Sequence, residues 1–173
     1  MRRLLEQFGN LRIDYEKLTQ WACNSDTLFR AYYYDCLPYQ NANPNEDERR
    51  RVSNAQKCHM ALRRLARFTV REGRLEFRGV DASNGKPIFQ QKRVDLLLGI
   101  DMASLASKRR VDAMTLIAGD SDFIPAVEYA REEGVIIRLA HGPQRTYHQD
   151  LWDTADERLE INEEILHGMI RDH

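Results

Sequence analysis

A strand, a helix and a second strand packed into about 30 residues constrain this chain more than any other feature. Ala113 to Ala118 (AMTLIA) is a continuous apolar run of strand length. Asp122 to Glu133 follows with apolar residues at helical spacing, and Gly134 stands where such a helix stops. Val135 to Ala140 (VIIRLA) is a second buried-strand run. A unit of this kind crosses over right-handed and lays its strands in parallel, and parallel strands need helices on both faces. The expected fold class is therefore α/β, a mostly parallel sheet flanked by helices. With 173 residues, 42% of them hydrophobic, the chain is expected to fill one core as a single domain.

The remaining elements follow the same alternation, with no internal repeat and no low-complexity tract. Asp14 to Cys23 reads as a short helix with Asp14 as its cap. Leu28 to Cys36 (LFRAYYYDC) reads as an aromatic strand, followed by a polar loop rich in proline and asparagine. Arg49 to Thr69 reads as a long helix whose apolar side includes Val52, His59 and Leu62. No second ligand lies one turn from His59, so it reads as a packed histidine. Leu75 to Val80 reads as a strand leading into a turn at Asp81 to Lys86, built on Asn84-Gly85. Val94 to Ser107 (VDLLLGIDMASLAS) is apolar almost all round and is expected to be a buried helix.

Several function classes drop out. No run approaches the length of a bilayer crossing, and the N-terminus lacks the apolar segment of a signal peptide, so a cytoplasmic protein is expected. Cys23, Cys36 and Cys58 are odd in number and lack histidines at ligand spacing, which argues against a disulfide framework or a zinc site. Net charge is −1, but its distribution is uneven. Basic residues dominate from Asp47 to Arg93, including Arg49-Arg50-Arg51 and Lys92-Arg93, whereas seven of the eight charges from Asp150 to Glu164 are negative. The basic stretch reads either as a solvated face or as a track for phosphates.

Chemistry concentrates in Gly119-Asp120-Ser121-Asp122, the turn leaving the carboxyl end of the first buried strand. Ligands of open parallel sheets bind outside those ends. Asp120 or Ser121 can cap the next helix, with Pro125 tolerated in its first turn. One aspartate is explained by capping; the second leaves a carboxylate over, and clustered carboxylates suit a hard cation such as Mg²⁺ or Mn²⁺. Asp95 and Asp101 add carboxylates to an apolar helix, where an unpartnered charge would be costly. Asp95 falls in the first turn; Asp101, six residues on, cannot share a narrow stripe with it and reads equally as a ligand or as a supporting hydrogen-bonding group.

The stretch RVDLLLGIDMASLASKRRVDAMTLIAGDSDFIPAVEYAREEGVIIRLAHG closely resembles the NYN domain family of the PIN-like nuclease superfamily, the branch similar to LabA-type proteins. A looser resemblance extends over YYYD near Asp35 and LWDTADERLEI near Asp156. The resemblance implies a PIN-like α/β fold in which Asp95, Asp120 and Asp122 are the catalytic, metal-holding carboxylates, supported by Asp101 and Ser121. It implies Mg²⁺ or Mn²⁺ as cofactor and RNA, single-stranded, as partner, cleaved by metal-assisted hydrolysis of its phosphodiester bonds. Lys92, Arg93, Arg49 and Arg50 are the expected nucleic-acid contacts; self-association as a homodimer stays open.

One departure qualifies that reading. Family members usually begin with an apolar strand ending in Asp-x-x-Asn, and this sequence opens with MRRLLEQFGN. Ile13-Asp14-Tyr15-Glu16 mimics the motif superficially, but Lys17 stands where the asparagine belongs. Two alternatives to an enzyme with this site remain: a catalytically weakened NYN domain that binds RNA or protein without turnover, and a haloacid-dehalogenase-type phosphatase. The second would need an Asp-x-Asp motif after its first strand, which is absent. Tyr32, Tyr33 and Tyr34 could stack bases, although alternating aromatics in a strand more often fill a core.

Overall fold

A computed structural model describes residues 12–170 apart from residues 86 and 144. The opening MRRLLEQFGN, where the family's first strand would be sought, lies outside the described residues. The architecture is mixed α/β, with parallel strands flanked by helices, as the strand-helix-strand unit requires. The chain divides into two compact units, Arg30–Leu98 on one side and Met1–Phe29 with Gly99–His173 on the other.

In the first unit, β1 (Ala31–Asp35) pairs in parallel with β2 (Phe68–Glu72), Ala31 opposite Phe68 and Asp35 opposite Glu72. The connecting helix α2 (Glu46–Arg64) is capped by Asn45, whose side chain accepts from the Glu48 amide at 2.8 Å. Acids fill its first turn and Arg63 and Arg64 its last, matching the helix dipole. The expected helix over Arg49–Thr69 is thus corrected at both ends. It starts earlier because Asn45 caps it. It stops earlier because Phe68-Thr69-Val70 pairs with Ala31-Tyr32-Tyr33, after a left-handed turn at Arg67 (φ 56°). The unit continues into an antiparallel hairpin of β3 (Arg74–Val80) and β4 (Pro87–Lys92), with a bulge between Phe77 and Gly79. Its turn is organised by Asp81, which accepts from the Ser83 amide, the Ser83 hydroxyl and the Asn84 side chain. This hairpin interrupts the simple alternation of strands and helices.

In the second unit, β5 (Ala113–Leu116), β6 (Ile136–His141) and β7 (Glu157–Glu160) form a parallel sheet in that order. Central strand β6 is buried over Ile137–Ala140, which explains its unbroken apolar reading. Arg138 is the exception. Its guanidinium is held by Asp26 at 2.5 Å and by Glu157 at 2.6 Å, so the buried charge is compensated. Helix α1 (Tyr15–Ala22) is capped by Asp14, which accepts from the amides of Glu16 and Lys17 at 2.9 and 3.2 Å. Ile13, Leu18, Ala140, Ile161, Leu166 and Met169 form a core cluster that joins α1, β6 and the C-terminal helix α6 (Glu163–Gly168).

Helix α3 (Val94–Ser107) has the expected bounds but not the expected environment. Leu98, Met102 and Ala106, one turn apart, are buried; Leu96 and Ile100 are 65% and 54% exposed. Only one face of the helix meets a core, so its all-round apolar composition does not translate into all-round burial. Among the described residues no helix is long and apolar enough to cross a membrane.

Candidate metal and nucleic-acid site

Strand β5 delivers the chain to Gly119, where the backbone has no room for a side chain. A Cβ there would collide with the carbonyl of Thr146, and the His148 amide donates to the Gly119 carbonyl at 2.9 Å. Glycine is required by this close approach of the Thr146–Tyr147 backbone, not by an unusual φ. A single 3₁₀ turn, Ser121–Phe123, and helix α4 (Ile124–Glu132) follow. Asp120 caps the turn, its Oδ1 accepting from the Asp122 amide at 3.2 Å. Pro125 sits in the first turn of α4, where its missing N–H costs nothing. Phe123, Val127 and Ala130 are buried and anchor the segment, and Gly134 ends it at φ 85°.

Asp120 and Asp122 are both exposed on this anchored turn, at the carboxyl end of a parallel strand. One Asp120 oxygen is committed to the cap; the Asp122 side chain extends into solvent. Such a pair suits a hard cation of the magnesium type, which is commonly held by one or two carboxylates with water and substrate phosphate completing its shell. Among the described residues no group of three His, Cys, Asp or Glu side chains closes around one point. Ser121 is half-buried within the turn.

Beside the turn lie residues that no spacing signal announced. His148 caps helix α5 (Gln149–Thr154), accepting from the Asp150 amide at 3.3 Å. The His141 ring meets Tyr147 edge-on at 4.8 Å. Trp152 Nε1 donates to His141 Nε2 at 3.4 Å and His141 Nδ1 faces the Gly142 carbonyl at 2.8 Å, which assigns the His141 proton to Nδ1.

The other expected residues belong to the other unit and to α3. Strand β4 ends in half-buried Lys92; exposed Arg93 takes a left-handed φ of 76°, and α3 begins. Asp95 is exposed in the first turn of α3 and Asp101 half-buried two turns later. The thiol of buried Cys36 is pushed up by burial first, then by Asp35 and Asp95, so both carboxylates act on one point at the end of β1. Arg49 and Arg50 are exposed, and Arg50 pairs with Asp47 at 2.8 Å. Pairs so exposed are weak and leave the guanidinium open to exchange for a phosphate.

Asp35 does more than end a strand. His59 from α2 is 1% exposed and lies between two carboxylates, Nε2 at 3.0 Å from Asp35 Oδ2 and Nδ1 at 3.0 Å from Glu72 Oε1. Arg63 reaches the same Glu72 oxygen at 2.6 Å, and the Tyr33 ring meets His59 edge-on. His59 is therefore packed, as the sequence suggests. Its two acceptors come from strands whose pairing only the fold reveals.

Comparison with known proteins bears on the fold and the family. No curated protein matches the chain. A crystal structure of a protein of unknown function from Vibrio parahaemolyticus is similar to it with a TM-score of 0.59 at 18% identity, over 92% of this chain and 85% of that one, a likeness of fold. The NYN domain pattern matches residues 5–162, most of the length, and the chain belongs to the NYN domain family.

Proposed function

We propose that the protein is a metal-dependent ribonuclease whose site is built on Asp120 and Asp122 with Asp95 as a third carboxylate. The NYN family lies within the PIN-like nucleases, whose members generally use divalent metal and bind RNA. The observation that carries the reading here is the pair of exposed aspartates on a rigid turn at the carboxyl end of β5. Asp120, Asp122 and Asp95 supply hard oxygen donors for Mg²⁺ or Mn²⁺. A divalent ion, held by these carboxylates, would supply activation of water and neutralisation of charge on a scissile phosphate. Ser121 and Asp101 support the carboxylates, and Lys92, Arg93, Arg49 and Arg50 hold the phosphate backbone. Membership of the LabA-like branch is part of the same proposal.

Cleavage of a labelled single-stranded RNA tests this. It should require Mg²⁺ or Mn²⁺, stop with EDTA, and be lost in Asp122→Asn while the fold survives. A second reading, an RNA-binding domain without turnover, is favoured by one observation: Asp14, which most resembles the family's first aspartate in the sequence, is committed to capping α1. RNA binding with no cleavage under either metal would establish that reading instead.

A further inference from the structure

We propose that the β3–β4 hairpin carries a base-stacking platform for single-stranded RNA, made of Phe77, Phe89 and Tyr39. This rests on the RNA-directed reading above and adds to it a surface that the carboxylates do not supply. Phe77 and Phe89 are direct cross-strand partners, with ring centroids 5.9 Å apart. Tyr39, from the loop after β1, closes the group at 4.8 Å from Phe89 and 6.2 Å from Phe77. Strand alternation puts Phe77 and Phe89 on one face of the ribbon, while Arg78 and Gln90 bond to each other on the reverse.

Rings grouped this closely would normally be the centre of a core, yet Phe77 remains 49% exposed. An aromatic face open to solvent needs an occupant of matching chemistry. Charge favours nucleic acid. The sequence from Arg74 to Arg93 has five basic residues, Arg74, Arg78, Lys86, Lys92 and Arg93, against two acidic ones. Of those two, Glu76 is paired with Arg78 at 3.3 Å, and Asp81 is engaged by Ser83 and Asn84 in its own turn. Aromatic faces in a positive setting are how sequence-tolerant single-strand binders hold bases, because every base has a π-face. Gly79 at φ 129° and the adjacent bulge bend the ribbon just beyond Phe77.

The test is fluorescence anisotropy of a labelled oligouridine with the full chain in EDTA, so that binding is read without cleavage. Phe77→Ala should weaken binding at least about fivefold, the lower end of what one stacked base supplies. Phe77→Leu, which keeps apolar bulk but no ring, should weaken it similarly with an unchanged melting temperature, and Phe77→Trp should retain it. Equal affinity of Phe77→Leu and wild type overturns the platform while leaving the cleavage reading to its own assay. Self-association of the wild type, abolished by Phe77→Leu without any change in RNA affinity, would make the face a protein contact and also overturn it. A wild type that neither binds nor cuts RNA overturns the proposed function and this inference together.

Discussion

The backbone amide of Asp122 donates to the carboxylate of Asp120 at 3.2 Å, so one member of the acidic pair shapes the turn that presents the other. The two roles are separable by substitution. Asparagine caps nearly as well as aspartate but carries no charge, whereas alanine does neither. Asp120→Asn should therefore keep the melting temperature and lose Mn²⁺ affinity in calorimetric titration. Asp120→Ala should lose Mn²⁺ affinity and about 1 kcal/mol of stability as well. Unchanged Mn²⁺ affinity in both variants would place the metal elsewhere.

Gly119 has its neighbour's backbone where a side chain would go. Gly119→Ala should force the Thr146–Tyr147 backbone away and cost about 1–3 kcal/mol, as overpacking does. Thermal unfolding would show it directly. Because the Gly119 carbonyl also accepts from His148, the same variant should loosen the start of α5. Wild-type stability in this variant would mean that this backbone has room to yield.

The Asp35–His59–Glu72 arrangement should be felt in stability and in its pH dependence. The Glu72 carboxyl is held below its usual range, first by Arg63 and then by His59. A lowered folded-state value means a contribution present above the unfolded carboxylate value of about 4.3 and lost as pH falls through the lower folded value. Melting temperature should fall more steeply below about pH 4.3 for wild type than for Glu72→Gln. His59→Ala takes the imidazole from Asp35 and leaves Glu72 with Arg63 alone; both carboxylates are about one-third exposed, so the cost should be about 1–3 kcal/mol, reduced by their contact with solvent.

RNA affinity should fall linearly on a log–log salt plot, with a slope of about −0.7 for each phosphate neutralised on a single strand. Removing Lys92 and Arg93 together should lower the slope magnitude by about one to two units. Arg50→Ala should change it less, since Arg50 is already shared with Asp47. A slope indifferent to Lys92 and Arg93 would return both to the solvated surface.

Short-range physics made much of this protein legible in its sequence. Helix α3 has the bounds its composition predicts, Asp14 caps α1, and the run from Ala113 to Ala140 folds as strand, helix and parallel strand. Periodicity, capping and breakers act within a few residues, so a linear reading captures them. The Gly-Asp-Ser-Asp turn is visible for the same reason, because the hydrogen bonds that Asp120 accepts close within two or three positions. What the tertiary structure alone decided depends on residues far apart in the chain. Phe68–Glu72 is a strand instead of the end of a helix because β1 offers it a partner. His59 is held by carboxylates 24 and 13 residues away. Gly119 is required because the Thr146 backbone arrives beside it, and Leu96 and Ile100 stay exposed because only one side of α3 meets a core. Local propensity settles which elements the chain can form; which faces are buried, and which charges meet, is set by long-range packing that no local window contains.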